Sequence, residues 1–398
     1  MKVANKNIAN DIVNYLKNNH KNMLALLKEL VAIESPSNNK KALNNIIFFL
    51  TKKLKQLGFY TIHVSGKNTG GFLYARPMIR KKNKPLQLLI GHCDTVWDIN
   101  TLKEIPLAQS NGKLSGPGVY DMKAGITQML FSLLAINELQ LDLTVIPIIL
   151  INTDEETGSH ESTPIIKRLS KIVNRAFVLE PPLGLEGKLK TARKGIGRFT
   201  ITVKGKAAHA GLDPEKGVNA IVELSHQIQQ LYAMNDFDKG ITVNIGLIEG
   251  GNSPNVVAAE SKATIDVRVH NKVDGTYITN KIHQLKPMLD EVELIIEGSI
   301  GRQPMEQTPR NKKLWEKAKA SGKLIGLNLE QATAGGGSDG NTTSLYTATL
   351  DGLGTTGDGA HAKHEFIFID KLIERTALLT LLLINNIQIK NKNTHHAV

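Results

Sequence analysis

The sequence predicts an α/β fold: a domain with a mostly parallel central sheet, split by an inserted ferredoxin-like (βαββαβ) domain. Three observations predict it. Up to about residue 190, strand-length runs that are apolar throughout alternate with stretches of helical periodicity, the pattern of a parallel sheet covered on both faces. From 191 to 303 the strands instead alternate apolar and polar residues, in the order strand, helix, strand, strand, helix, strand. From 304 to 398 the helix/strand alternation resumes. A chain of 398 residues is also too long for one ordinary core.

The first segment opens on a predicted helix over 11–34, with apolar residues at helical spacing (Met23, Leu26, Leu27, Leu30, Val31) and a stop at Ser35-Pro36. A second amphipathic helix covers 41–57, and Gly58 suits its C-cap. Strands follow at 60–64, 72–75 and 86–90, then a helix over 122–137. A buried strand at 145–151, a helix at 163–170 and a strand at 176–179 complete the run. In the insert, strands fall at 199–203, 242–247, 263–269 and 292–296, with helices at 217–232 and 276–289. The last ten residues are expected to fray.

Composition narrows the function. Hydrophobic residues make up 41% and charged residues 22%, the balance of a globular protein. The longest apolar run, near 143–151, is interrupted by Pro147 and falls well short of the roughly 20 residues of a membrane span. The chain opens without the continuous apolar stretch of a signal peptide, and Cys93 is its single cysteine, so a cytoplasmic protein without disulfides is expected. The net charge of +12 comes from scattered residues, densest at 80–84, at 188–194 and in the Lys/Asn-rich tail. None of these clusters interleaves with aromatic residues, so a nucleic-acid partner is not expected, whereas anionic small substrates are favoured.

Several polar groups stand where apolar strands end. Leu86 to Ile90 runs into Gly-His92-Cys-Asp94-Thr-Val. In extended chain His92 and Asp94 share a face, so Asp94 can accept one ring N–H and leave the other nitrogen for a metal. By itself, His-x-Asp equally describes a hydrogen-bonded core-edge histidine. Gly116-Pro-Gly-Val-Tyr-Asp121-Met-Lys leads into a helix, where Asp121 is either its N-cap or a ligand. The run VIPIILINT ends in Asp154-Glu155-Glu156, and Phe-Val-Leu ends in Glu180-Pro181-Pro182. C-terminal ends of parallel strands open onto one crevice, where ligands bind. Three adjacent carboxylates there are costly unless a positive charge faces them. Asp154 receives no role of its own. Late in the chain, Gly357-Asp-Gly-Ala-His361-Ala-Lys-His364-Glu365 adds imidazoles. Histidines and carboxylates without clustered cysteine suit zinc or a similar divalent cation.

These motifs, in this order, resemble the M20 family of co-catalytic zinc peptidases and deacylases over nearly the whole chain. Ala192-Arg-Lys-Gly-Ile-Gly, Gly205-Lys-Ala-Ala-His209-Ala-Gly, Gly217-Val-Asn-Ala and Thr242-Val-Asn-Ile-Gly are most similar to its glutamate carboxypeptidase branch. The resemblance implies two Zn2+ per subunit, with Co2+ or Mn2+ as possible substitutes. Asp121 would bridge them, His92 and Glu180 completing one site and Glu156 and His361 the other. His364 also lies near Glu365, but Gly-Ala-His and the spacing to Glu365 favour His361. Glu155 would be the general base, acting on a water between ions roughly 3.5–4 Å apart, and Asp94 would orient a ligand. His209 would assist the oxyanion. Arg268 and Asn255 would hold the substrate's carboxylate, with Gly336 and Gly337 in a Gly335–Gly340 loop lining the pocket. Ala258 stands where the family commonly has proline.

The implied activity is removal of a C-terminal amino acid, glutamate by preference, from a peptide by a homodimer whose insert closes over the metals. The alternatives are an N-acyl-amino-acid deacylase of the acetylornithine or succinyl-diaminopimelate type and a non-catalytic peptide- or amino-acid-binding relative. The latter is disfavoured because every proposed ligand and Glu155 are present.

Overall fold

The computed structural model describes residues 5–79 and 83–386. Residues 80–82 of the first basic cluster and the Lys/Asn-rich tail, including the last ten residues expected to fray, lie outside the described residues. The chain divides into two compact units: Met1–Thr191 with Gln307–Ala332 and Ser338–Val398, and Ala192–Glu306 with Thr333–Gly337. The glycine-rich segment Thr333–Gly337 thus groups with the insert, apart from the residues flanking it.

In the first unit six strands lie in the order Phe59–Val64, Phe72–Pro77, Ile146–Asn152, Leu86–His92, Arg175–Val178 and Ala348–Leu350. The last four pair in parallel, while the first two form an antiparallel edge hairpin against Ile146–Asn152. The sheet is therefore mixed, parallel from Ile146–Asn152 to the Ala348–Leu350 edge and antiparallel at the other. Because side chains alternate across a strand, each central strand faces two cores. Leu88, Ile90, Ile148, Leu150, Ala176 and Val178 pack on Ile166 and Leu169 of the helix Thr163–Ile172. Leu89, Ile149 and Phe177 face the other way, into a core with the helices Ala124–Glu138 and Ile369–Ile384. This double burial explains the uninterrupted apolar runs. Each fully buried leucine, isoleucine, valine or phenylalanine side chain contributes about 1.5–3 kcal/mol.

The second unit is a four-stranded antiparallel sheet in the order Thr242–Gly250, Glu260–Val269, Gly195–Lys204 and Glu293–Arg302. Helices Ala220–Tyr232 and Lys272–His283 contribute Leu224, Leu231, Ile278 and Ile282 to a core with Phe199, Ile201, Ile265 and Val267. That is the ferredoxin-like arrangement.

Three helices differ from expectation. The predicted helix 11–34 is two, Lys6–Asn18 and His20–Ala32, separated at Asn19, whose backbone and side-chain N–H groups both return to the Tyr15 carbonyl. Such local bonding is how asparagine ends helices. The helix expected over 276–289 runs Lys272–His283 instead: Asn271 caps its start, and Pro287 cannot continue it. The helix expected from 122 begins at Ala124, because Asp121 and Met122 have non-helical backbones. No helix among the described residues is long and apolar enough to cross a membrane.

Candidate metal centre

Strand register assembles one set of polar groups. Leu86–His92 pairs in parallel with Ile146–Asn152 so that His92 lies opposite Asn152, and with Arg175–Val178 so that Ile90 lies opposite Val178. Two residues further on, Glu180 comes level with His92. Glu155 and Glu156 follow Asn152 at the same sheet end. His92, Asp121 and Glu180 form one group of potential ligand atoms, and Asp121, Glu156 and His361 a second.

Asp121 belongs to both through different oxygens. Its Oδ1 is 3.1 Å from His92 Nε2, and its Oδ2 is 3.5 Å from His361 Nε2. His92 Nε2 is also 3.5 Å from Glu180 Oε1, and His361 Nε2 is 2.9 Å from Glu156 Oε2. The helix-cap alternative for Asp121 is not what forms: the N-cap of Ala124–Glu138 is Lys123. His361 has a left-handed backbone (φ 64°), an unfavourable state for a residue with a Cβ, and its side chain is half exposed at the solvent side of the group.

His92 is oriented somewhat differently from the sequence expectation. Its Nδ1 is 3.0 Å from the Asp94 backbone carbonyl and 3.4 Å from the Asp94 carboxylate. A carbonyl only accepts, so Nδ1 carries hydrogen and the neutral ring presents an Nε2 lone pair to two carboxylates. That arrangement is repulsive unless a proton or cation lies between them. The Asp94 carboxylate is occupied by the Ser37 hydroxyl (2.8 Å) and the N–H groups of Glu156 (3.2 Å) and Glu155 (3.4 Å).

Asp154 is more than a loop residue. It is buried, and its Oδ2 accepts from the N–H groups of Glu161 (2.8 Å) and Ser162 (3.0 Å), closing the turn after the acidic cluster. Asp339 braces that turn from below, accepting from Asn152 Nδ2 (2.7 Å) and the Ser159 hydroxyl (2.5 Å). The glycine-rich run thus supplies an anchor that its sequence did not suggest. Two of its N–H groups, at Ser338 and Gly340, are committed to a capping box of the helix Asp339–Ser344.

The protonation balance shows what charge the cluster calls for. Burial opposes charge on His92, but Asp121 and Asp94 outweigh it and raise its pKa well above the usual value. Hydrogen bonds donated to Asp121 and Glu156 lift His361 to about 10. Burial lifts Glu156 to about 7. Burial would also raise Asp121, yet His361 and His92 hold it well below the ordinary carboxylate range. Without a cation the histidines must supply the positive charge. Glu156 Oε1 is buried with no hydrogen-bond partner among the described residues. Two imidazoles, three carboxylates, an orphaned oxygen and a shared aspartate fit a pair of divalent cations.

The remaining predicted residues lie in the second unit and fall into two groups there. His209 is exposed, and its Nδ1 accepts from the N–H groups of Gly211 (3.1 Å) and Leu212 (3.2 Å), which leaves hydrogen on Nε2 of the neutral ring. Asn255 is alongside: its carbonyl accepts from Ala210 N–H (3.0 Å), and its Oδ1 from the Ser253 hydroxyl. Arg268 lies apart with the glycine loop. Its fork grips the Asp266 carboxylate (2.6 and 3.0 Å), and its Nη1 reaches the Gly335 carbonyl at 3.5 Å. Gly336 and Gly337 direct their carbonyls to Arg193 Nη1 (3.2 and 3.0 Å).

Similarity to known proteins agrees with this chemistry. A family profile described as the M20 peptidase dimerisation domain matches residues 191–286. Carboxypeptidase G2 of Pseudomonas sp. (strain RS-16) is 29% identical over 91% of this chain and 89% of its own. Succinyl-diaminopimelate desuccinylase of Rickettsia rickettsii is 24% identical over 87% of this chain and 95% of its own. The aminopeptidase PepT structure from Bacillus cereus shares the fold with a TM-score of 0.79 at 22% identity, covering 92% of this chain and 98% of that one. The chain is a metallopeptidase or amidohydrolase that carries an M20 peptidase dimerisation domain. Both candidate metal triads belong wholly to the first unit, and the matched dimerisation region belongs almost wholly to the second.

Sequence reasoning did not assign Glu365 a role. Its buried carboxylate accepts from the N–H groups of Gly118 (2.7 Å), Tyr120 (2.8 Å) and Asp121 (3.0 Å) and from the Trp97 indole (2.9 Å). The available signal was a glutamate in the same glycine-rich motif as His361.

Proposed function

We propose that this enzyme is a di-zinc hydrolase that releases a C-terminal amino acid, glutamate by preference, from an amide-linked substrate. The observation that supports it most is the sharing of Asp121, one oxygen in each triad, beside the orphaned Glu156 oxygen. His92, Asp121 and Glu180 would hold one cation, and Asp121, Glu156 and His361 the other. Bound there, two zinc ions supply Lewis acidity at the scissile carbonyl and acidify a water molecule. Co2+ or Mn2+ would serve similarly.

The chain's own residues would do the rest. His92, tethered through Nδ1–H to the Asp94 carbonyl, presents Nε2 in a fixed direction. Asp94 holds the Glu155–Glu156 backbone in register with it. Glu155 takes the proton from the attacking water and delivers it to the leaving amine nitrogen. His209, with hydrogen on Nε2, donates to the developing oxyanion. Arg268 and Asn255 grip the substrate's free carboxylate beside Gly336 and Gly337. Asp266 occupies one edge of the Arg268 fork, so the Nη1 side is where a carboxylate would enter.

A homodimer through the second unit is part of this reading. It is supported by the dimerisation-domain match and by exposed Ile221, Val222, Leu247 and Ile248 on the helix Ala220–Tyr232 and the edge strand Thr242–Gly250. A cytoplasmic location fits the single buried cysteine.

The desuccinylase relative favours a second reading, an N-acyl-amino-acid deacylase. A hydrolysis panel on the zinc-loaded enzyme separates the two. Peptidyl- and pteroyl-glutamate should be cleaved at least tenfold faster, by kcat/KM, than N-acetyl or N-succinyl amino acids. Turnover confined to the N-acyl substrates would replace the carboxypeptidase assignment with the deacylase one.

A further inference from the structure

Asp121 stands on a stretch that neither sheet nor helix stabilises. Gly118 has a left-handed backbone (φ 71°), Asp121 is extended, and the helix begins only at Ala124. The N–H groups of Gly118, Tyr120 and Asp121 therefore need partners, since buried amides left unpaired are costly. All three converge on one carboxylate, that of Glu365, which the Trp97 indole closes from a fourth side. The same residue fixes this stretch through its backbone: the Glu365 carbonyl accepts from Gly116 N–H (3.1 Å), and its own N–H closes a turn onto Ala362, next to His361.

We propose that Glu365 is the positioning residue of the metal centre. Its carboxylate sets the placement of Asp121, and its backbone sets that of His361, so it fixes the separation at which the two face each other. This deepens the two-metal reading above and rests on it. The chemistry is specific to a carboxylate of this length. All four partners are donors, so the group must accept through both oxygens. An amide would turn its own N–H2 against at least one of these donors. An aspartate would retreat by about one carbon–carbon bond, ~1.5 Å, and could not reach all three amides. Glu365 touches neither substrate nor reacting atoms in this scheme, and its effect passes through Asp121 and His361.

The test uses Co2+ as a spectroscopic probe on full-length, metal-free protein, comparing wild type, Glu365→Gln and Glu365→Asp. Visible absorption follows occupancy, and far-UV circular dichroism with thermal midpoint reports the fold. Wild type should take up two ions. Both variants should stay folded while Co2+ binding weakens by about 10–100-fold, the usual effect of removing a group that orients ligands, with an altered ligand-field spectrum. Wild-type affinity and spectrum in Glu365→Asp would overturn the proposal, because charge alone would then suffice. Failure of both variants to fold would also overturn it, making Glu365 a fold residue first. Wild-type protein that binds no Co2+ would instead sink the two-metal reading, a result seen without any variant.

Discussion

Asp94→Asn is the most informative single change at the back of the metal centre. Asp94 is fully buried, with one oxygen toward the Ser37 hydroxyl and Glu156 N–H, and the other toward Glu155 N–H and His92 Nδ1. An asparagine keeps the shape but must place an N–H2 group on one of those sides. Either way it meets a backbone N–H, donor against donor. The loss is about one charge-assisted bond, roughly 1.5–3 kcal/mol of stability in the metal-free protein. His92 keeps its bond to the Asp94 carbonyl, so the ring stays while its support weakens. Zinc affinity should fall about 10–100-fold, equivalent to about 1.4–2.7 kcal/mol. Urea unfolding of the metal-free protein reads the first quantity, and competition against a chromophoric chelator reads the second. An Asn variant with unchanged unfolding midpoint and unchanged zinc affinity would refute the view that Asp94 couples His92 to the Glu155–Glu156 turn.

Metal binding should strengthen with pH. His361 is raised to about 10 and Glu156 to about 7, and both must lose protons to bind a cation. The stabilisation that His361 gives the metal-free fold is complete below its ordinary 6.5 and is lost as pH rises through about 10. Across the window from about 7 to 10 zinc affinity should therefore rise by at least about tenfold per unit, with proton release measurable by calorimetry in buffers of different ionisation enthalpy; a flat profile would contradict it. Asp339→Ala removes the charged acceptor shared by Asn152 Nδ2 and the Ser159 hydroxyl, at a cost of about 1.5–3 kcal/mol. Urea unfolding checks this, and an unchanged midpoint would remove Asp339 from the support of the acidic turn.

Much of the architecture was legible because it follows from periodicity. Strands 86–90, 145–151 and 176–179 are apolar throughout because Leu88 and Leu89, or Ile148 and Ile149, face different cores across one sheet. The same logic brought His92, Glu156 and Glu180 to one sheet end, since parallel strands finish together. What stayed hidden depended on long-range hydrogen bonds. Asp154 looked dispensable because nothing in DEETGS reveals that its carboxylate accepts from Glu161 and Ser162. Glu365 was invisible because its partners are backbone amides far back along the chain, which carry no residue signature. Asn19 reads as one polar residue on a long amphipathic face, and only its return bonds to Tyr15 divide the helix.

The central claim is that two cations share Asp121. Metal content per chain, measured after zinc reconstitution and gel filtration, tests it most directly when Asp121→Ala and His361→Ala accompany the wild type. The account predicts about two zinc ions in the wild type, retention of the His92/Glu180 ion alone in His361→Ala, and loss of both in Asp121→Ala. A wild type holding a single ion, or an Asp121→Ala protein that keeps two, would contradict it.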